Sequence, residues 1–162
     1  MSAPASAAPS RDPAEVARLS AAAMWATDNA SQGLGIEIME VGPGTSTLAM
    51  TLADHMTNGH GMAHGGFIFA LADSAFAFAC NSYGERVVAA QCAITYLRPG
   101  LKGHRLIATG REVARSGRSG IYDVTVTQDG VTIAEFRGHS RLIGGSMLPE
   151  AGDENRPSQT RP

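Results

Sequence analysis

The chain has 162 residues, 43% of them hydrophobic and 17% charged, and a formal net charge of -2. This length predicts one domain that can bury a sizeable core without disulfides, and the charge argues against general nucleic-acid binding. Its two cysteines, Cys80 and Cys92, lie in apolar runs, so we expect buried free thiols in a reducing compartment.

The N-terminus lacks the basic and then apolar pattern of a signal peptide. The longest apolar stretch, residues 67–80, contains Asp73 and Ser74 and is too short and too polar to span a bilayer. We therefore expect a cytoplasmic protein.

Both ends of the chain, residues 1–12 and 146–162, are rich in Pro, Ser and charge, so we expect disordered tails around one domain at 13–145. Asp12 followed by Pro13 predicts the start of a helix that runs to about Ala26. Alternating apolar residues then predict strands at 34–38 and 47–52, with a turn at 42–44 and a loop at 54–63.

The strongest helix prediction covers residues 66–81. Its residues are apolar nearly all round, which indicates a helix that is buried on every side and forms the centre of the fold.

The remaining sequence is typical of strands joined by short turns. Residues 87–97 are almost continuously apolar, which predicts a central strand, and further strands are predicted at 106–113, 122–127 and 131–142. The alternation of apolar and polar residues shifts by one position at Ile133 and Ala134, which indicates a β-bulge. The order of elements predicts an α+β fold in which one antiparallel sheet wraps one long helix.

Asp73 is the anomaly of this helix, because carboxylates are rarely buried unless they are paired. It either forms a salt bridge with one of the arginines, lies on a face that is solvated after all, or performs chemistry.

The helix opens with His64-Gly65-Gly66. Free N–H groups at a helix start suit an oxyanion or a thioester carbonyl, although such glycines can also serve only a tight turn. Gly65 and Asp73 are eight residues apart, about 12 Å along a helix axis. If both act on one substrate, one of them comes from another subunit.

Other polar residues carry weaker signals. His55, His60 and His64 with Asp54 have spacings that allow a metal site, but the loop is broken by glycines, so we expect no metal. His64 is expected to orient the turn through a hydrogen bond.

Residues 86–118 contain seven basic residues and one acid, a local charge of seven minus one, or +6. This run indicates either a solvated strand face or a binding patch for a small polyanion.

The run at 58–82, NGHGMAHGGFIFALADSAFAFACNS, together with Tyr96-Leu97-Arg98-Pro99-Gly100, resembles the hotdog-fold acyl-CoA thioesterases, most closely those of phenylacetic acid degradation. The resemblance covers roughly residues 14–144. It implies a hotdog fold, homodimers that pair into a homotetramer, and no cofactor other than the coenzyme A of the substrate.

The resemblance also implies roles for particular residues. Asp73 matches the catalytic carboxylate, Gly65 the oxyanion N–H, Asn58 a loop asparagine that positions substrate or water, and His64 the histidine before the glycines. Some members add a Ser or Thr on the strand after the helix, where this chain has Gln91 as the candidate replacement. The residues expected to contact substrate or coenzyme A are Gly66, Ser74, Gln91, Arg98, Arg115, Ser116, Gly117 and Arg118.

The implied function is hydrolysis of an aryl-acyl-CoA, of the phenylacetyl or hydroxyphenylacetyl type, with Asp73 as base or nucleophile. Several bulky residues either line an aryl pocket or form the core: Met56, Met62, Phe67, Phe69 and Phe76. One alternative is a hotdog acyl-thioester hydratase or dehydratase that uses His64 with Asp73. Another is a non-catalytic acyl-CoA-binding module, which in transcriptional regulators carries a DNA-binding domain for which we expect no room here.

Overall fold

The computed structural model describes residues 11–148 of the chain. Its helices and strands are α1 (Pro13–Trp25), α2 (Asn29–Gly33), β1 (Glu37–Gly42), β2 (Thr45–Thr51), α3 (Gly65–Cys80), β3 (Glu85–Tyr96), β4 (Arg105–Ser116), β5 (Ser119–Gln128) and β6 (Val131–Ser146). The strands form one antiparallel sheet in the order β1-β2-β4-β5-β6-β3, and α3 packs across it. The predicted α+β architecture is confirmed.

The sequence correctly predicted most helix starts and turns. Helix α1 begins at Pro13, although the Asp12 side chain makes no capping hydrogen bond. The turns between β1 and β2, β4 and β5, and β5 and β6 lie where glycines predicted them, and Asp129 and Gly130 adopt the positive φ values of 51° and 76° that a tight hairpin needs. The bulge at Ile133 is also confirmed, because the β5–β6 register shifts there.

The predicted strand at 34–38 was placed too early. The Asp28 side chain accepts a 2.9 Å hydrogen bond from the Ser31 N–H and caps the short helix α2. Leu34 ends that helix and Gly35 turns the chain at a φ of +66°, so the strand starts only at Glu37.

The predicted disorder of both tails falls mostly on residues 1–10 and 149–162, outside the described part of the chain. The predicted boundary at 145 is set too early, however. Ser146 pairs with Glu85 at the end of β6, and the Met147 N–H donates a 2.8 Å hydrogen bond to the Gly84 carbonyl.

The core lies between one face of the sheet and α3. Leu71, Ala72, Ala75 and Phe76 of α3 are almost fully buried against strand residues such as Val124. This packing buries most of the helix surface and explains why its sequence is so apolar.

One stripe of α3 is nevertheless open, which corrects the prediction of a helix buried on every side. Gly66, Ala70, Asp73 and Ala77 follow a spacing of four, three and four residues and all keep part of their surface exposed. We call these four residues the open stripe.

Strand β3 lies at the sheet edge and pairs only with β6 within the described residues, so the prediction of a central strand is wrong for the subunit. Val88 and Tyr96 are 44% and 48% exposed, and Leu97, just after the strand, is 51% exposed. A long apolar edge of this kind is a template for pairing with another chain.

Candidate active site

Helix α3 begins with a capping arrangement that leaves one N–H unused. The His64 Nδ1 accepts a 3.0 Å hydrogen bond from the Gly66 N–H, and the His64 N–H donates to the Met56 carbonyl. No acceptor for the Gly65 N–H lies within residues 11–148. Gly65 therefore offers the free donor at the positive end of the helix dipole. The Gly66 N–H is already occupied by His64, and a contact between Gly66 and substrate stays a prediction.

Tyr96 at the end of β3 completes this helix start and was missed by the sequence analysis as a site residue. Its hydroxyl donates a 2.8 Å hydrogen bond to the Gly65 carbonyl. A Cβ added at Gly65 would lie 2.9 Å from the Tyr96 ring, so only glycine fits there without moving the ring. Burial raises the pKa of Tyr96, which keeps the phenol a donor at neutral pH.

Asn58 shapes the loop that precedes the helix. Its Oδ1 accepts hydrogen bonds from the backbone N–H groups of His60 (2.9 Å) and Met62 (3.2 Å). Because Oδ1 is held in this way, the Nδ2 group is the part of the side chain left to meet a ligand.

Asn58 and the helix start share one cleft of about 530 Å³. Its remaining walls are largely apolar and come from the loop, α3 and the segment after β3: Met62, Ala63, Ile68, Tyr96, Leu97, Arg98, Pro99 and Gly100. We call this space the helix-start cleft.

Asp73 lies on the open stripe, half-buried. Burial raises the pKa of its carboxyl group, and a 3.5 Å hydrogen bond from the Cys92 thiol to Oδ1 partly opposes that rise. No Lys, Arg or His within residues 11–148 forms an ion pair with it, so the salt-bridge interpretation is not met among these residues. Within the described part of its own subunit, Asp73 is a partly desolvated carboxylate with no neutralising cation.

Comparison with known proteins decides the family. A model of the thioesterase superfamily matches residues 60–135. The chain is 44% identical over 130 residues to acyl-coenzyme A thioesterase PaaI of Escherichia coli, an alignment that covers 80% of this chain and 93% of that protein. The chain belongs to the thioesterase superfamily.

Structural comparison agrees. The E. coli PaaI protein from the phenylacetic acid degradation operon superposes with a TM-score of 0.82 and 40% identity, over 83% of this chain and 99% of that one. A Streptococcus mutans protein solved with acetyl-CoA bound superposes with a TM-score of 0.66 and 28% identity, over 68% of this chain and 90% of that one. The protein is an acyl-CoA thioesterase with the hotdog fold, as the resemblance implied.

Two residues expected to contact the substrate of the thioesterase have other partners within the described residues. Ser74 points toward α2, where its hydroxyl is 2.9 Å from that of Ser31. Gln91 is exposed and pairs in register with His139, on the face of β3 opposite to its neighbour Cys92. The strand residue that meets Asp73 is therefore Cys92, not Gln91.

The predicted phosphate-binding arginines are divided between the two ends of α3. Arg98 lines the helix-start cleft, and its guanidinium donates a 2.7 Å hydrogen bond to the Thr132 carbonyl. Arg115 and Arg118 lie beside a second cavity that reaches Cys80 at the other end of the helix. The fifteen residue-to-residue steps from Gly65 to Cys80 span about 22 Å, so one subunit does not bring all three together.

That second cavity, of about 310 Å³, contains the predicted turn residues Ser116 and Gly117. The Arg115 guanidinium stacks 3.7 Å from the centre of the Tyr83 ring and lies 3.8 Å from Glu85 and from Glu112. Arg118 donates two hydrogen bonds to the Leu142 carbonyl.

Four of the seven basic residues in 86–118 form ion pairs with acids: Lys102, Arg105, Arg111 and Arg115. For Lys102, Arg105 and Arg111, which line neither cavity, the solvated-face interpretation is the better one.

The loop histidines are not gathered into a metal site within the described residues, where no three His, Cys, Asp or Glu side chains converge. His55 and His64 instead meet the Phe67 ring edge-on at 6.0 and 6.1 Å, and Asp54 pairs with Lys102 at 3.3 Å. Metal independence stays a prediction that chelation tests. No helix in residues 11–148 is long and apolar enough to cross a bilayer.

The candidate aryl-pocket residues also separate. Phe76 and Met56 are only 1% and 2% exposed and belong to the core, and Phe69 packs edge-on against Phe136. Met62 lines the helix-start cleft, and Phe67 lies beside the loop histidines. The cleft is therefore lined by fewer aromatic side chains than the sequence suggested.

Proposed function

We propose that the thioesterase hydrolyses aryl-acyl-CoA substrates of the phenylacetyl or hydroxyphenylacetyl type, with Asp73 of one subunit and Gly65 and Asn58 of a partner acting on one thioester. The observation that carries this proposal is a carboxylate on the open stripe with no cation beside it in residues 11–148, together with a helix-start N–H that has no acceptor in the same residues. The E. coli relative named for the phenylacetic acid operon supports the acyl class.

In the proposed mechanism the thioester carbonyl oxygen accepts a hydrogen bond from the Gly65 N–H and is further polarised by the helix dipole. Asp73 either attacks the carbonyl carbon to give a mixed anhydride, which water then cleaves, or removes a proton from the attacking water. Collapse of the tetrahedral intermediate breaks the C–S bond, and the thiolate of coenzyme A leaves. The raised pKa of Asp73 makes it a stronger base than an ordinary aspartate.

The shared site is argued from distance and exposure. Asp73 and Gly65 are about 12 Å apart along α3, too far for both to reach one carbonyl group. The open stripe and the apolar edge of β3 lie side by side, and a second copy related by a two-fold axis would cover both and place its own helix start against Asp73. Pairing of such dimers into a tetramer is part of the same proposal.

The residues proposed for coenzyme A follow the same division. Arg98 belongs to the helix-start cleft, and Arg115, Ser116, Gly117 and Arg118 belong to the second cavity. Arg98, Arg115 and Arg118 are all proposed phosphate contacts, and in a shared site the two arginine groups would come from different subunits.

The hydratase alternative is less favoured because His64 is occupied. Its Nδ1 accepts from the Gly66 N–H, so the other ring nitrogen carries the proton in the neutral form. A histidine fixed as a helix cap is a poor candidate for the base that such a reaction requires.

The test is a survey of acyl-CoA esters with a thiol reagent, on the wild type and on Asp73→Asn. We expect phenylacetyl-type esters to be among the best substrates and Asp73→Asn to lose at least ~100-fold in kcat. Asp12→Asn is the matched control, because Asp12 is exposed and its side chain caps nothing. Near wild-type turnover by Asp73→Asn would overturn the assignment, and a preference for straight-chain esters alone would overturn the acyl class.

A further inference from the structure

Among the described residues, the side chain of Asp73 has one polar partner. Cys92 on β3 places its sulfur 3.5 Å from Asp73 Oδ1. The charge of Asp73 also reaches the buried thiol of Cys80, on the same helix, and helps to raise its pKa, but Cys80 is not among the groups that shift the pKa of Asp73 or of Cys92. From α2, the facing group is the uncharged hydroxyl of Ser31, which is bonded to Ser74.

The Cys92 thiol stays protonated in this environment. Burial and the charge of Asp73 together raise the pKa of Cys92 to about 11. Cys92 is therefore a hydrogen-bond donor at neutral pH, and it is not a thiolate that could take the acyl group itself.

A thiol is a weak donor, and that weakness suits a carboxylate that must act as a base or nucleophile. A strong donor or a cation would hold the negative charge and lower both the pKa and the reactivity of Asp73. With no donor at all, the half-buried carboxylate would have nothing to fix its rotamer on the open stripe.

We propose that Cys92 is a positioning residue of this thioesterase, whose S–H donates to Oδ1 of Asp73 and leaves the other carboxylate oxygen for the substrate. This inference rests on the proposed role of Asp73. Cys92 fixes the orientation of the Asp73 carboxylate from the edge strand β3.

The test compares Cys92→Ala and Cys92→Ser through the pH dependence of kcat/KM, whose acidic limb reports the carboxylate of the free enzyme. Cys92→Ala removes the donor, so we expect the limb to move to higher pH and kcat to fall about fivefold. Cys92→Ser supplies a stronger donor that still orients the carboxylate, so we expect the limb to move to lower pH and kcat to fall by less than in Cys92→Ala. The acidic limb should therefore lie at the lowest pH in Cys92→Ser, at an intermediate pH in the wild type and at the highest pH in Cys92→Ala.

Cys80→Ala is the matched control, because the Cys80 sulfur bonds to the Ala77 carbonyl and not to Asp73. All variants are assayed well below their unfolding temperatures. A limb that does not move in either Cys92 variant overturns the inference, and so does an equal loss of rate in both, which would indicate packing alone. Activity retained by Asp73→Asn would refute the proposed role of Asp73. An inactive Asp73→Asn together with an unmoved limb in the Cys92 variants would refute only the role of Cys92.

Discussion

The Tyr96 hydroxyl donates a 2.8 Å hydrogen bond to the Gly65 carbonyl, across 31 residues of sequence. The same peptide group donates its N–H, that of Gly66, to His64 Nδ1 at 3.0 Å. One peptide plane is thus held at both ends, by a strand residue and by the helix cap. This restrains the backbone around Gly65, a glycine that would otherwise be conformationally free, and orients its unused N–H.

Tyr96→Phe tests this restraint because it keeps the ring and removes only the hydroxyl. We expect kcat to fall about fivefold, since a poorly oriented oxyanion donor stabilises the transition state less. The melting temperature should change little, because Tyr96 is 48% exposed. Steady-state kinetics and thermal unfolding measure the two effects, and an unchanged kcat would show that the bond does not orient Gly65.

Gly65→Ala introduces a Cβ that would lie 2.9 Å from the Tyr96 ring and forces the ring or the helix start to move. We expect a loss of about tenfold or more in kcat from displacement of the oxyanion donor. Gly59→Ala in the same loop region is the matched control, because a Cβ there meets no atom within 4 Å. Equal activity of the two variants would contradict the need for a close approach at Gly65.

The stability of Asp73→Asn should exceed that of the wild type at neutral pH. Burial raises the folded-state pKa of Asp73 above its unfolded value of 3.8, so the folded state binds the proton more tightly. The wild type therefore loses stability as pH rises from the unfolded-state pKa of Asp73 through its raised folded-state pKa. Above the folded-state pKa the loss is complete. Thermal unfolding from about pH 4 to about pH 8 should show the advantage of Asp73→Asn growing with pH.

Asp123→Asn is a control variant for which we expect the opposite change in stability at neutral pH. Its hydrogen bond from Arg137 holds the pKa of Asp123 below the usual value, so ionised Asp123 stabilises the fold at neutral pH. That contribution is lost as pH falls through the lowered folded pKa. Asp123→Asn should therefore be less stable than the wild type at neutral pH. If Asp73→Asn showed the same sign as Asp123→Asn, the desolvation of Asp73 would be refuted.

A mixed-subunit experiment tests the shared site. Asp73→Asn and Asn58→Ala chains, each nearly inactive alone, are unfolded together and refolded. In a hybrid dimer with a two-fold axis, one site collects both changes and the other is intact. Random pairing should restore about a quarter of wild-type activity, because half the dimers are hybrids with one of two sites intact. Hybrid dimers detected by mass without recovered activity would mean that each chain holds a complete site.

Local patterns in the sequence were enough to predict α3, the glycine turns, the bulge at Ile133 and the anomaly of Asp73. Each depends on residues close together in the chain, such as an apolar period, a capping residue or a charge among apolar neighbours. The short helix α2 was missed because its capping residue, Asp28, precedes an alternating apolar run that also fits a strand.

The tertiary structure alone decided which strand is at the edge and which side chains meet. An almost continuously apolar strand fits both a central position and an edge that a second copy covers, and only the sheet order places β3 at the edge. The pairs Cys92–Asp73 and Tyr96–Gly65, and the separation of Arg98 from Arg115, depend on strand register and on the length of α3. The sequence by itself determined which residues are chemically unusual, because that is local. The neighbours that make them useful are set by contacts between distant segments, which no local pattern encodes.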